Sequence, residues 1–168
     1  MNKKGFTLTE LLAVIVIMSI VATIGLVSVT GVKRQINQKL FTDKLSEIIA
    51  SAENWGEDNK DELSKELTAG DLIVKNYFES EEEIDPSSYN NYACSQDAKS
   101  PLGYKNGSKC KNIVTNNVDN IVINNLKVKI FLKNNRVYAC IIKNDENKSL
   151  LNEEADYSKY SSLNLYCK

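Results

Sequence analysis

Phe6-Thr-Leu-Thr-Glu10-Leu-Leu-Ala-Val-Ile15-Val-Ile-Met-Ser-Ile20-Val-Ala-Thr-Ile-Gly25-Leu-Val-Ser-Val-Thr30-Gly-Val32 is the stretch on which the reading of this chain turns. It places 18 hydrophobic residues in 27 positions, against 42% over the whole chain. From Leu11 to Val32 no residue is charged, which is long enough to cross a bilayer as a helix. An ordinary secretory signal has a shorter apolar core, about 7–15 residues, followed by a small-x-small cleavage site, and none follows here. Glu10 lies one turn inside the apolar run. A lone carboxylate there is costly, and no cation shares its helical face within the run, so it reads as functional.

Working outward, Met1-Asn-Lys-Lys-Gly5 precedes the run as a short basic leader. Taken together, Met1-Asn-Lys-Lys-Gly5-Phe6-Thr-Leu-Thr-Glu10-Leu-Leu resembles the type III signal of type IV pilins and pseudopilins. The resemblance implies cleavage between Gly5 and Phe6 by prepilin peptidase and N-methylation of the new terminal Phe6. It also implies that the Glu10 carboxylate meets the Phe6 amine of a neighbouring subunit as an inner-membrane platform assembles the filament. A plain single-pass anchor is the alternative. The positive-inside count is nearly a tie, because Lys33 and Arg34 balance Lys3 and Lys4. The cytoplasmic N-terminus and exported C-terminal part therefore come from the resemblance. Many pilins carry a proline in this stem; here Gly25 and Gly31 are the weak points in helix propensity instead.

The apolar period continues through Val32, Ile36, Leu40, Phe41, Leu45, Ile48, Ile49, Ala52 and Trp55, at steps of three and four. That spacing predicts one amphipathic helix running on from the stem to Trp55, with Gly56 as its stop. The first half should sit in lipid or a filament core, and the second should pack on a sheet. Asp61–Leu67 and Asp71–Phe78 read as short helices, and Ser80 to Pro86 as a solvated acidic connector. Leu126-Lys-Val-Lys-Ile-Phe-Leu132 alternates as a strand, Lys133-Asn-Asn-Arg136 turns, and Val137–Ile142 returns, with Asn134-Asn135 suited to a tight hairpin turn. Ile121-Val122-Ile123 is a candidate third strand. The expected fold is α+β: a long N-terminal helix packed on a small antiparallel sheet. Its parts are a leader at 1–5, a membrane or filament-core helix at 6–32, and a head at 33–168.

Composition narrows the chemistry. There is no histidine among the 168 residues, which excludes zinc–histidine sites, Ser-His-Asp triads and imidazole catalysis. A structural subunit is expected, with no enzymatic activity, metal or cofactor. Residues 43–85 carry 14 acids against four lysines, whereas 86–143 carry two acids against nine bases. Such halves read as facing or solvated surfaces before they read as a nucleic-acid site. Lys99–Lys111, with Tyr104, has the mixture of bases and aromatic suited to single strands, although the structural reading is preferred.

The four cysteines, Cys94, Cys110, Cys140 and Cys167, all lie beyond the apolar run and allow three pairings. Export makes disulfides the expected state. Cys94–Cys110 would close the loop containing Pro101, and Cys140–Cys167 would pin the C-terminus to the hairpin. Asn144-Asp-Glu-Asn147 with Glu153, Glu154 and Asp156 clusters oxygen ligands without EF-hand spacing, and reads as a hydrated loop. Asn106-Gly-Ser108 and Asn147-Lys-Ser149 match the glycosylation sequon. The function expected is a major or minor subunit of a type IV pilus serving adhesion or motility. The alternative is a pseudopilin of type II secretion or of competence DNA uptake, the one reading in which DNA is a partner.

Overall fold

The computed structural model describes residues 7–151, apart from 64, 82, 90 and 91, together with 165–167. Side chains at 23–30 lie outside the described set, as do Gly5 and Phe6. The chain divides into two compact units, 1–39 and 40–168.

In the first unit the fold is helix alone. The helix α1 (Leu8–Asp58) runs without a break through both Gly25 and Gly31. Its described apolar side chains are exposed on every side, from Leu8 at 83% through Leu11, Ile15, Met18 and Val21, and again at Val32 and Ile36. Among the described residues no helix is long and apolar enough to cross a membrane; residues 23–30 fall in the second half of the uncharged run.

The second unit is built on the later turns of α1. Phe41, Leu45, Ile48, Ala52 and Trp55 are all buried, at steps of four and three that keep one stripe facing the core. Leu40, on the expected stripe, remains exposed. Gly56 is not the stop that its position suggested. The helix passes through it to Asp58, and a Cβ there would lie 2.6 Å from Val137 Cγ1 and 2.7 Å from Ile130 Cγ2. The glycine lets the sheet approach the helix closely.

That sheet has three strands, all antiparallel, with the first strand of a hairpin in the middle. The hairpin is β6 (Lys127–Lys133) and β7 (Arg136–Ile141), joined through Asn134 and Asn135 at φ 50° and 61°. Both turn residues have the positive φ of a type I′ turn, as the sequence indicated. The inner face carries Val128, Ile130, Val137 and Ile141 in the core, whereas Leu132 at the hairpin end is exposed. The third strand is β1 (Glu66–Thr68), pairing Leu67 with Val128. The predicted helix over 61–67 is therefore replaced by a short 3₁₀ turn at Lys60–Glu62 and this strand. Tertiary pairing outweighs local propensity in so short a segment. Ile121-Val122 is indeed a strand, β5, but it pairs with β4 (Thr115–Asn116) outside the hairpin's sheet.

The helix α2 (Ala69–Val74) is shorter than the predicted Asp71–Phe78 and begins earlier. Thr68 and Asp71 form a capping box that fixes its start. Between α2 and β4 lies a second small sheet of β2 (Tyr104–Asn106) and β3 (Lys109–Lys111). It covers a minor core of Ile84, Cys110, Ile113 and Val122. The final helix α3 (Asp145–Leu150) is capped by the Asn144 side chain, which accepts from the Asn147 N–H.

The 80–86 connector is not freely solvated. Glu81 pairs with Lys44 of α1 and accepts from the Thr115 N–H (3.1 Å), while Lys44 also donates to the Thr115 carbonyl (2.7 Å). Ile84 exchanges both backbone hydrogen bonds with Cys110. The acidic run is thereby tied to both the helix and β3.

Candidate functional site

The start of α1 is organised by its first two polar side chains. Thr7 is the N-cap: its Oγ1 accepts from the Glu10 N–H (3.3 Å), and the Glu10 carboxylate accepts from the Thr7 N–H (2.9 Å) and hydroxyl (2.8 Å). This reciprocal arrangement is a capping box, and Thr-x-x-Glu was legible in the sequence as one. Reading Glu10 only as an unpaired acid missed the local partner. Both bonds fall on Oε2, which leaves Oε1 unoccupied among the described residues. A carboxylate has further acceptor capacity, so a second donor can be taken without giving up the cap. The described surroundings are apolar and exposed, with Leu8, Leu11, Leu12 and Val14 around the carboxylate in sequence, and no ion pair to Glu10 occurs among the described residues. The sequence-assigned cleavage pair, Gly5 and Phe6, lies just outside them.

Residues 1–26 match the family model of the prokaryotic N-terminal methylation motif. That motif is the type IV prepilin signal, so over these residues the chain is similar to type IV pilins and pseudopilins. No curated protein and no solved structure gives a match. The methylation motif and the Thr7–Glu10 cap thus occupy the same few residues.

In the head, Cys94 joins Cys110 and Cys140 joins Cys167, one of the three pairings that the sequence allows. The second fastens the C-terminal residues beside β7, where Ile141 donates to the Leu165 carbonyl (2.8 Å) and Cys167 donates to Ile141 (3.0 Å). Closing a loop of 27 residues stabilises by about 3.5 kcal/mol in the chain-entropy model. Cys167→Ser should therefore lower the melting temperature and expose residues beyond Leu151 to faster proteolysis, read by mass spectrometry of timed digests.

Two helix carboxylates close the free edge of β7. Glu57 accepts from the Val137 N–H (3.3 Å) and Glu53 from the Ala139 N–H (3.2 Å), two N–H groups that β6 leaves unpaired. Lys60 first, then the Val137 N–H, holds the Glu57 carboxyl below its ordinary range. An exposed strand edge is a template for unwanted pairing, and here the helix covers it.

The remaining candidates resolve as structure. Asn147 is buried and donates to the carbonyls of Lys127 and Ile142, so its sequon is unavailable, whereas Asn106 lies exposed in β2 beside its turn. Among the described residues of the acidic C-terminal cluster, Asn144 and Asn147 serve α3 and β6, and no metal-holding group of acids is present; Glu153, Glu154 and Asp156 lie outside those residues. In the Lys99–Lys111 stretch, Lys111 pairs with Glu83 at 2.7 Å, which holds that carboxyl below its usual range with help from Asn106. That pair lies in a cleft of about 410 Å³ and joins the acidic to the basic half of the chain.

Proposed function

We propose that this chain is a prepilin, cut between Gly5 and Phe6, N-methylated at Phe6, and polymerised into a type IV pilus that serves adhesion or motility. The observation that carries the reading is the methylation signal set directly against an apolar helix whose described side chains have no cover. Apolar surface of that extent must be removed from water, first by lipid and then by neighbouring stems. Head residues, closed by two disulfides and a protected sheet edge, suit the exposed outside of such a filament. Prepilin peptidase, the inner-membrane platform and other pilin subunits are the partners this requires.

Intact mass of the protein in purified filaments tests the processing step. A chain lacking residues 1–5 and carrying one added methyl group is expected; one beginning at Met1 would sink the proposal. Gly5→Leu should leave nearly all of the protein as uncut precursor, because the peptidase must accommodate the residue before the bond. Electron microscopy with an antibody to the head then distinguishes long surface pili from the periplasmic or wall-confined filament of a pseudopilin.

A further inference from the structure

The outward face of the β6–β7 hairpin sets two aromatic rings among exposed cations. Phe131 and Tyr138 stand directly opposite each other, ring centroids 6.0 Å apart and planes at 23°, with Phe131 half-buried and Tyr138 38% exposed. Around them on the same face lie Lys129, Lys133 and Arg136, all exposed and without an ion pair among the described residues. Lys127, next on that face, is already committed to Glu146. Lys133 is the cross-strand partner of Arg136. Like charges directly opposite in a sheet are destabilising, so folding does not account for this pair. Protection against edge pairing does not account for it either, since Glu53 and Glu57 already close the β7 edge.

We propose that this face is a platform for single-stranded nucleic acid. Exposed aromatic rings offer stacking surfaces for bases, and the flanking cations meet the phosphates, a combination that binds single strands with little sequence preference. A second copy of the chain is a poorer match. Much of the acidic segment that would have to face these cations is engaged within the chain, through Glu53–Ala139, Glu57–Lys60, Glu62–Lys65, Glu81–Lys44 and Glu83–Lys111. Glu66 of β1, opposite Lys129, adjoins the patch by register, and the Glu53 and Glu57 carboxylates border it along the β7 edge; these acids limit the attraction at those sides. The net charge of −1 gives the chain no general attraction for polyanions, so binding must be local. This proposal stands apart from polymerisation, because it concerns a head surface that a single subunit carries.

The test uses the full-length chain in detergent micelles with a labelled oligothymidine, followed by fluorescence anisotropy across a salt series. Binding should weaken with a log–log slope near −2, about 0.7 for each of three cations. Tyr138→Ala and Phe131→Ala should each weaken it about fivefold or more, the lower bound of stacking per base. Lys133→Gln should weaken binding and reduce the slope by about 0.7. Tyr138→Leu, which keeps apolar bulk but not the ring, provides a second variant, and an unchanged melting temperature certifies each fold. Absence of binding at low salt, or binding indifferent to these substitutions, would overturn the proposal. So would tighter binding of hyaluronan than of oligothymidine, which would assign the face to acidic polysaccharide, or loss of binding on self-association, which would assign it to a second copy.

Discussion

Cells carrying Glu10→Gln should cut the precursor normally, fold the head normally, and make at least tenfold fewer filaments. The substitution is selective because of the capping geometry. Glutamine keeps an acceptor oxygen for the Thr7 N–H and hydroxyl, which in the wild type both use Oε2. Loss of the charge on that cap costs only about 1 kcal/mol at a helix N-terminus. Under the proposed function, what disappears is the attraction between the second carboxylate oxygen and the α-amine that cleavage would create on a neighbouring Phe6. Two unit charges about 4 Å apart attract by about 4 kcal/mol at an effective dielectric of 20, before desolvation. Burying both groups takes back a large part of that. A remainder of about 1.4 kcal/mol per subunit contact is already a factor of ten. Thr7→Ala makes the complementary variant: it removes the hydroxyl from the cap but leaves the charge, so filaments should persist while the first turn frays. Filament counts by microscopy, with cleavage checked by mass, read both. A wild-type count from Glu10→Gln cells would show that the carboxylate acts only as a cap.

How far the sequence reached depended on whether the signal was periodic. The hairpin was legible because Val128, Ile130, Val137 and Ile141 alternate, and because Asn134-Asn135 tolerates the positive φ that both adopt. The helix was legible because Phe41 to Trp55 repeat at steps of three and four. The strand β1 was not, because three residues cannot show a period, and its identity comes from Leu67 finding Val128. Gly56 was misread for a related reason. A glycine near a helix end signals a cap or a close approach equally well, and only Val137 and Ile130 on the facing sheet decide between them. The acidic connector looked solvated by composition, yet Glu81 is drawn in by Lys44 and Thr115, partners far away in sequence. At the N-terminus the family signal was fully legible and the Thr7 cap was overlooked, since an acid in an apolar run invites a search for a cation before a hydroxyl.

Gly70→Ala should unfold the head more readily than Cys167→Ser, with a fall in melting temperature of about 10 °C or more. Gly70 sits in the first turn of α2, where an added Cβ would lie 1.8 Å from the Pro101 carbonyl oxygen and 2.7 Å from its carbon. Both are backbone atoms, so no side-chain rotation relieves the clash. Moving Pro101 has a second cost, because its carbonyl accepts from Asn124 Nδ2 at 2.8 Å. Asn124 is fully buried and also donates to the Asn112 carbonyl (2.8 Å) while its Oδ1 accepts from the Val114 N–H (2.9 Å). The Gly70 N–H in turn donates to the Asn124 carbonyl (2.8 Å), so glycine and asparagine hold three loops to the start of α2 as one unit. Overpacking costs about 1–3 kcal/mol, and a buried polar group left unpaired about 1–3 more. Over a domain of this size that sum corresponds to roughly 10–15 °C. Asn124→Leu should do similar damage by orphaning the same carbonyls without any clash. Gly107→Ala provides the control: its Cβ meets nothing within 4 Å, and only the strain of φ +63° opposes it, about 1 kcal/mol. Thermal unfolding of the three variants, followed by circular dichroism, separates them. If Gly70→Ala melted with Gly107→Ala, the approach of Pro101 to α2 would not be a constraint on this fold.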